Sequence, residues 1–169
     1  MKIRTGASLL RSLCFSPNSN FMQLEFKGKK ALVRVDFNVP LDKDFNITDD
    51  TRMRAALPTI NQILKDGGAA ILMSHLGRPM KKLKEDGSID REKFTLNHVT
   101  SHLADLTGAK VHFCDETIGD KATKMAAELP MGEILVLENT RFYEGEKKGD
   151  EAFAKNLSEL ADLYVNDAF

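Results

Sequence analysis

Ala69-Ala70-Ile71-Leu72-Met73-Ser74-His75-Leu76-Gly77-Arg78-Pro79 decides how this chain is read. Ala69 to Met73 is an apolar run of strand length, bounded upstream by Gly67-Gly68 and downstream by Gly77 and Pro79, which is the punctuation of a buried strand. Gly77 permits a tight turn and Pro79 halts any helix or ladder, so a His and an Arg are fixed on a short, stiff loop at the strand's C-terminal end. A loop of this kind is more often a solvated surface feature than a binding site. Its meaning has to come from the other strand ends.

Upstream, Ala31 to Val35 reads as a strand running into Asp36-Phe37-Asn38-Val39-Pro40, where Pro40 forbids continuation in a central sheet. Between the two strands, Asp49 and Asp50 can cap a helix that carries Ala56, Leu57, Ile60, Ile63 and Leu64 at helical spacing. Pro58 is expected to kink that helix or mark its early turns, and Gly67-Gly68 ends it. Downstream, Met80 to Glu92 reads as a charged, solvated loop. A helix follows with Leu96, Val99, Leu103 and Leu106 on one face and Gly108 at its close. Further strands are expected at Lys110 to Phe113, Glu133 to Leu137 and Asp162 to Val165, with helices between them at roughly Gly119 to Leu129 and around Phe153, Leu157 and Leu160. Strands alternating with helices in this way predict an α/β fold: an open parallel sheet with helices on both faces, a Rossmann-like three-layer α/β/α arrangement.

With 169 residues, 42% apolar and 29% charged, the chain is long enough for one domain with a real core, or is a piece of something larger. A net charge of -1 provides no global positive field, so no nucleic-acid partner is expected. No run approaches the roughly 18 apolar residues of a membrane span. Cys14 and Cys114 lie far apart without Cys/His ligand spacing, which implies neither a disulfide framework nor a zinc site and fits a reducing compartment. His98 and His102 have metal-ligand spacing on one helix but no evident third ligand, so they read as structural and no metal is expected. Residues 1–21 carry Lys2, Arg4 and Arg11 and no acid, and read as an N-terminal extension. It is either sequence ahead of a working start at Met22 or a weak transit-like segment.

In a parallel sheet all strand C-termini line one edge, and ligands bind in the crevice outside it. Asp36 and Asn38 follow the first strand, His75 and Arg78 the second, Asn139 and Arg141 the fourth, and Asn166 and Asp167 the fifth. Arg52 stands at the start of the first helix, close enough to join them. Guanidinium groups gathered in one cleft suit a phosphate or carboxylate through charge-assisted hydrogen bonds, so a small polyanion is implied. Asp36 beside them either takes a ligand hydroxyl or holds an Arg in place. Arg34, inside the first strand, is expected to pair with a carboxylate rather than touch a ligand. Neither a G-x-x-x-x-G-K-[ST] loop nor a G-x-G-x-x-G turn occurs, so no nucleotide site of those kinds is present in the sequence.

Val33-Arg34-Val35-Asp36-Phe37-Asn38-Val39-Pro40, Ser74-His75-Leu76-Gly77-Arg78-Pro79, Glu138-Asn139-Thr140-Arg141-Phe142 and Tyr164-Val165-Asn166-Asp167-Ala168-Phe169 together resemble the phosphoglycerate kinase family, in order and in spacing. The resemblance implies a glycolytic enzyme, cytoplasmic and monomeric. Such an enzyme passes a phosphoryl group between 1,3-bisphosphoglycerate and ADP, giving 3-phosphoglycerate and ATP, with Mg2+ accompanying the nucleotide. It implies that residues 22–169 are an incomplete N-terminal phosphoglycerate-binding domain, that the C-terminal nucleotide domain is absent, and that this chain alone is inactive and binds no cofactor. Asp36, Phe37 and Asn38 are then expected at the glycerate part and His75, Leu76, Gly77, Arg78 and Arg141 at the phosphate. Arg52 is expected at the carboxylate end, as the catalytic residue stabilising the phosphoryl group in flight. Two rival expectations remain: a non-catalytic anion-binding α/β module, and an interaction fragment whose Arg side chains meet an acidic protein partner.

Overall fold

All of Ala69–Met73 is buried, as a strand covered on both faces requires. The computed structural model describes residues 26–144 and 149–168 and the backbone of 12–14. Its strands are Ser12–Cys14 (β1), Lys30–Arg34 (β2), Ala69–Met73 (β3), Val111–Cys114 (β4), Ile134–Leu137 (β5) and Leu163–Asn166 (β6). They form one parallel sheet in the order β1-β6-β2-β3-β5-β4. The described helices are Thr51–Lys65 (α1), Arg91–Phe94 (α2), Asn97–Thr107 (α3), Asp120–Glu128 (α4) and Glu151–Ser158 (α5).

Side-chain alternation divides the core. Val33, Leu72 and Val136 point to one face, where Met53, Ala56, Ile60 and Ile63 of α1 and Val99 and Leu103 of α3 cover them. Leu32, Ile71 and Leu135 point to the other, beneath Ala122 and Ala126 of α4 and Phe153 and Leu157 of α5. Each large apolar side chain among them (Val, Leu, Ile, Met or Phe) contributes about 1.5–3 kcal/mol by leaving water. The result is the three-layer α/β/α arrangement expected from the alternation of elements.

Two elements were not anticipated. β1 comes from the segment read as an extension, where Leu13 is in register with Val165 of β6. Met22 lies outside the described residues. The four-residue α2 falls at the end of the stretch expected to be loop; Asp90 caps it by accepting from the Lys93 N–H at 3.1 Å, and it buries only Phe94.

α1 shows how the local rules were met. Asp49 takes the Thr51 N–H at 2.9 Å, whereas Asp50 caps nothing and accepts instead from Arg54 Nε at 2.9 Å and pairs with His102 Nε2 at 2.8 Å. Pro58 sits mid-helix rather than in an early turn, and the helix runs through it. Pro58 has no N–H for the Arg54 carbonyl, and both residues lie on the exposed face of the helix. His98 bonds the Glu92 carbonyl at 2.7 Å and stacks on Phe45 with centroids 4.4 Å apart. Both histidines of the metal-like pair are thus used in packing helices together, and among the described residues no group of three His, Cys, Asp or Glu could hold a metal.

Asp167, just past β6, gives its N–H to the Arg34 carbonyl at 2.8 Å, but its Oδ2 is buried without a hydrogen-bond partner. Burial pushes its carboxyl above the ordinary range, opposed by a bond from Thr59. An acid raised in the folded state contributes stability below its unfolded pKa and loses it as pH rises through the folded value. Asp167→Asn is therefore expected to stabilise the protein at pH 7 by about 1 kcal/mol, after allowing for partial exposure. That corresponds to roughly 2–4 °C in Tm. Thermal melts should show the gain shrinking toward zero below about pH 4; a variant less stable than wild type at pH 7 would contradict this account.

Candidate functional site

The four strands whose ends carry the polar clusters, β6, β2, β3 and β5, are adjacent in the sheet. Their register aligns those ends. Arg34 lies opposite Met73 on one side and Asn166 on the other, and Leu72 lies opposite Val136. β4, whose end carries no such cluster, is at the far edge. The scattered residues therefore become neighbours along one crevice.

Hydrogen bonds then fix the loops to one another. Asn38 Oδ1 accepts from the Gly77 N–H at 2.8 Å, and the Gly77 carbonyl accepts from Arg141 Nη1 at 2.8 Å. Ser74 Oγ accepts from the Phe37 N–H at 2.9 Å. The turn Pro79–Lys81, which follows Arg78, packs beside the turn Thr140–Phe142, which contains Arg141. Gly77 takes φ 64° here, which is why the loop needs glycine.

The charged residues divide into held and displayed. Arg52, on the first turn of α1, is paired with Asp36. Of the two expectations for Asp36, the pairing with an arginine is present in the structure. Arg78 is exposed and has no ion pair among the described residues. Arg34 likewise has none, against the expectation that it pairs with a carboxylate. Instead its field reaches His75, as do those of Arg141 and Arg52.

Burial and Arg141 hold the His75 imidazole down at about 4, with Asp36 opposing and Arg34 and Arg52 adding to the effect. Above about pH 5 it is thus a neutral hydrogen-bonding group rather than a cation. An anion entering the cleft would favour its protonation.

Phe37 and Leu76 stand differently from the other residues picked out of the sequence. Their side chains are 0% and 3% exposed and belong to the core. The Phe37 N–H is bonded to Ser74, and the Leu76 carbonyl accepts from Asn139 Nδ2 at 2.8 Å. Both support the cleft from beneath. Ser74 and Glu138, which sequence reasoning passed over, are buried polar residues beside the cluster. A polar residue directly after an all-apolar strand was the available signal.

Comparison with known proteins accounts for this arrangement. The family model of phosphoglycerate kinase matches residues 21–169. The chain is 50% identical over 147 residues to the phosphoglycerate kinase of Rhodopirellula baltica, covering 87% of this chain and 36% of that protein. It is 48% identical over 147 residues to the cytosolic phosphoglycerate kinase of Nicotiana tabacum, covering 87% and 35%. The crystal structure of phosphoglycerate kinase from Pyrococcus horikoshii superposes with a TM-score of 0.71 at 30% identity, over 86% of this chain and 35% of that one. The chain therefore spans about 35% of the length of these relatives. Since the match runs through all four strand ends that build the crevice, this chain belongs to the phosphoglycerate kinase family.

Proposed function

We propose that these residues are the 3-phosphoglycerate-binding half of a cytoplasmic, monomeric phosphoglycerate kinase, which interconverts 1,3-bisphosphoglycerate and ADP with 3-phosphoglycerate and ATP. The observation that carries this reading is the closed link from Asn38 through Gly77 to Arg141, which sets neutral His75 and displayed Arg78 on a rigid loop beside the Asp36–Arg52 pair. One end offers guanidinium groups and an imidazole to a phosphate. At the other end, Asn38 and Asp36 suit a hydroxyl, and Arg52 suits a carboxylate or acyl phosphate. Phosphoryl transfer asks mainly for positioning and for charge neutralisation along the path of the group. Arg52 is assigned that neutralising role, held ready by Asp36.

The Mg2+–nucleotide complex is assigned elsewhere. The described residues contain no carboxylate cluster suited to a metal, and the sequence has neither glycine-rich phosphate loop. We assign its site to residues other than these, which span about 35% of the relatives' length. On this reading the 169 residues bind the acid but do not turn it over.

Calorimetric titration of the purified chain with 3-phosphoglycerate tests the proposal. Binding is expected, with glycerol 3-phosphate roughly tenfold or more weaker because it lacks the carboxylate, and with Arg78→Ala about 10–100-fold weaker for 3-phosphoglycerate. Equal binding of both ligands would indicate a general anion module. No binding by a chain that circular dichroism shows to be folded would reject the reading.

A further inference from the structure

We propose that Glu138 and Asn139 are positioning residues that hold the phosphate-facing loop in its binding geometry before any ligand arrives. The proposal rests on the reading of the crevice as a 3-phosphoglycerate site. The two residues directly follow β5 and are 4% and 0% exposed. Neither faces the ligand.

Every hydrogen bond of the Asn139 side chain ends on a group that shapes the crevice. Its Nδ2 donates to the Leu76 and Phe94 carbonyls, both at 2.8 Å, and its Oδ1 accepts from the Arg141 N–H at 3.0 Å. Leu76 precedes Gly77, whose carbonyl receives the Arg141 guanidinium at 2.8 Å. Asn139 thus closes a ring in which backbone and side chain of Arg141 are both tied to the Leu76–Gly77 segment. Only a group that donates twice and accepts at once can occupy this position, and among side chains of this size that is the carboxamide.

Glu138 is the complement, an acceptor only. Its Oε1 takes the Leu96 N–H at 2.9 Å and the Asn139 N–H at 2.7 Å, and its Oε2 takes the Thr95 hydroxyl at 2.8 Å. Its backbone carbonyl accepts from Thr117 Oγ1 at 2.6 Å. The adjoining Thr140 N–H bonds the Ser74 carbonyl at 3.1 Å. This dipeptide therefore joins the loops that follow β3, α2, β4 and β5. Of these bonds, two of Asn139's reach the binding loop directly, at the Leu76 carbonyl beside Gly77 and at the Arg141 N–H; Glu138 acts one step back, bonding the Asn139 N–H and the Thr95–Leu96 segment that follows α2. Holding a long guanidinium side chain in one arrangement beforehand reduces what binding must order.

The decisive variant is Asn139→Asp, which is equal in size. At pH 7.5 its carboxylate faces two carbonyl oxygens, and 3-phosphoglycerate binding is expected to weaken about 30-fold or more relative to wild type. At pH 5 protonation returns one donor, and the ratio to wild type should narrow; measuring both proteins at each pH cancels the ionisation of the ligand itself. The backbone amide signals of Gly77 and Arg141 should shift in the free variant. A variant that binds within twofold of wild type with both signals unmoved overturns the proposal. If wild type does not bind 3-phosphoglycerate, the substrate reading fails separately, and the two amide signals alone decide: shifted, they support positioning, and unmoved, they overturn it. If Asn139→Asp does not fold, Thr95→Val and Thr95→Ser replace it. Several-fold weaker binding in the first, restored in the second, supports the proposal, and wild-type binding in Thr95→Val overturns it.

Discussion

Gly77→Ala is expected to lower stability by about 2–5 kcal/mol, from two effects of similar size. The backbone at Gly77 has φ 64°, where an L side chain costs roughly 1–2 kcal/mol. A Cβ there would also lie 2.6 Å from Cε1 of Phe94, closer than carbon atoms pack. Phe94 cannot readily give way. Its ring is 6% exposed, and its carbonyl is bonded to Asn139. Overpacking of this kind costs about 1–3 kcal/mol more. At this chain length the sum corresponds to roughly 4–20 °C in Tm. Gly108→Ala is the matched control: φ is 68°, but nothing lies within 4 Å of the added atom. It should lose only the backbone part and leave ligand binding unchanged. In Gly77→Ala binding should fall at least tenfold, because the glycine's N–H and carbonyl are the groups that Asn38 and Arg141 grip. Urea unfolding and calorimetry on both variants check this; equal losses at the two sites would mean that the Phe94 contact does not constrain the loop.

What the sequence revealed and what it hid have physical reasons. β3 and β5 were legible as unbroken apolar runs of strand length because both of their faces are buried, and α1 and α3 because one buried face imposes a period, on which Ile60 and Leu103 fall. β1 was not, because a three-residue edge strand held by backbone pairing to β6 has no period to display. α2 was hidden for a related reason: of Arg91, Glu92, Lys93 and Phe94, only the last is buried. Within the site, residue types at strand ends identified the cluster, since a parallel sheet brings those ends together whatever the strand order. Which partner each residue takes was not legible. Asp36 holding Arg52, and Arg34 without an ion pair among the described residues, depend on side-chain directions that no spacing encodes. The buried layer beneath the crevice, Ser74, Glu138 and Asn139, is where polar residues depart from the apolar pattern of the core. Such departures persist when their hydrogen bonds are satisfied, as these are.

Arg141→Met should have the largest effect on binding and should also change a neighbour it does not touch by hydrogen bond. On the proposed reading the Arg141 guanidinium meets the ligand phosphate, and losing such a group costs about 1.5–3 kcal/mol, or roughly 10–100-fold in Kd. Methionine keeps much of the stem but cannot bond the Gly77 carbonyl, so a further loss from loop displacement is expected. His75 is the independent reporter. After burial, Arg141 is the strongest influence holding its imidazole at about 4. Without that charge the pKa should rise, stopping short of an ordinary histidine's because burial remains. The sign of the effect on stability follows. In the unfolded chain His75 titrates near 6.5 and in the folded protein at about 4, so between those values only the unfolded chain takes up the proton. Wild type therefore keeps this contribution above about pH 6.5 and loses it as pH falls toward 4. Arg141→Met should be the less stable protein at pH 7.5, having lost a hydrogen bond, yet its deficit should narrow at pH 5 because its His75 resists protonation less. An NMR titration of the His75 ring, assigned with His75→Gln, and urea unfolding at the two pH values measure both effects. A His75 pKa unchanged by the substitution would separate the two residues electrostatically and remove Arg141 from the phosphate end of the cleft. A raised pKa with weakened binding would place guanidinium, imidazole and ligand phosphate within one field.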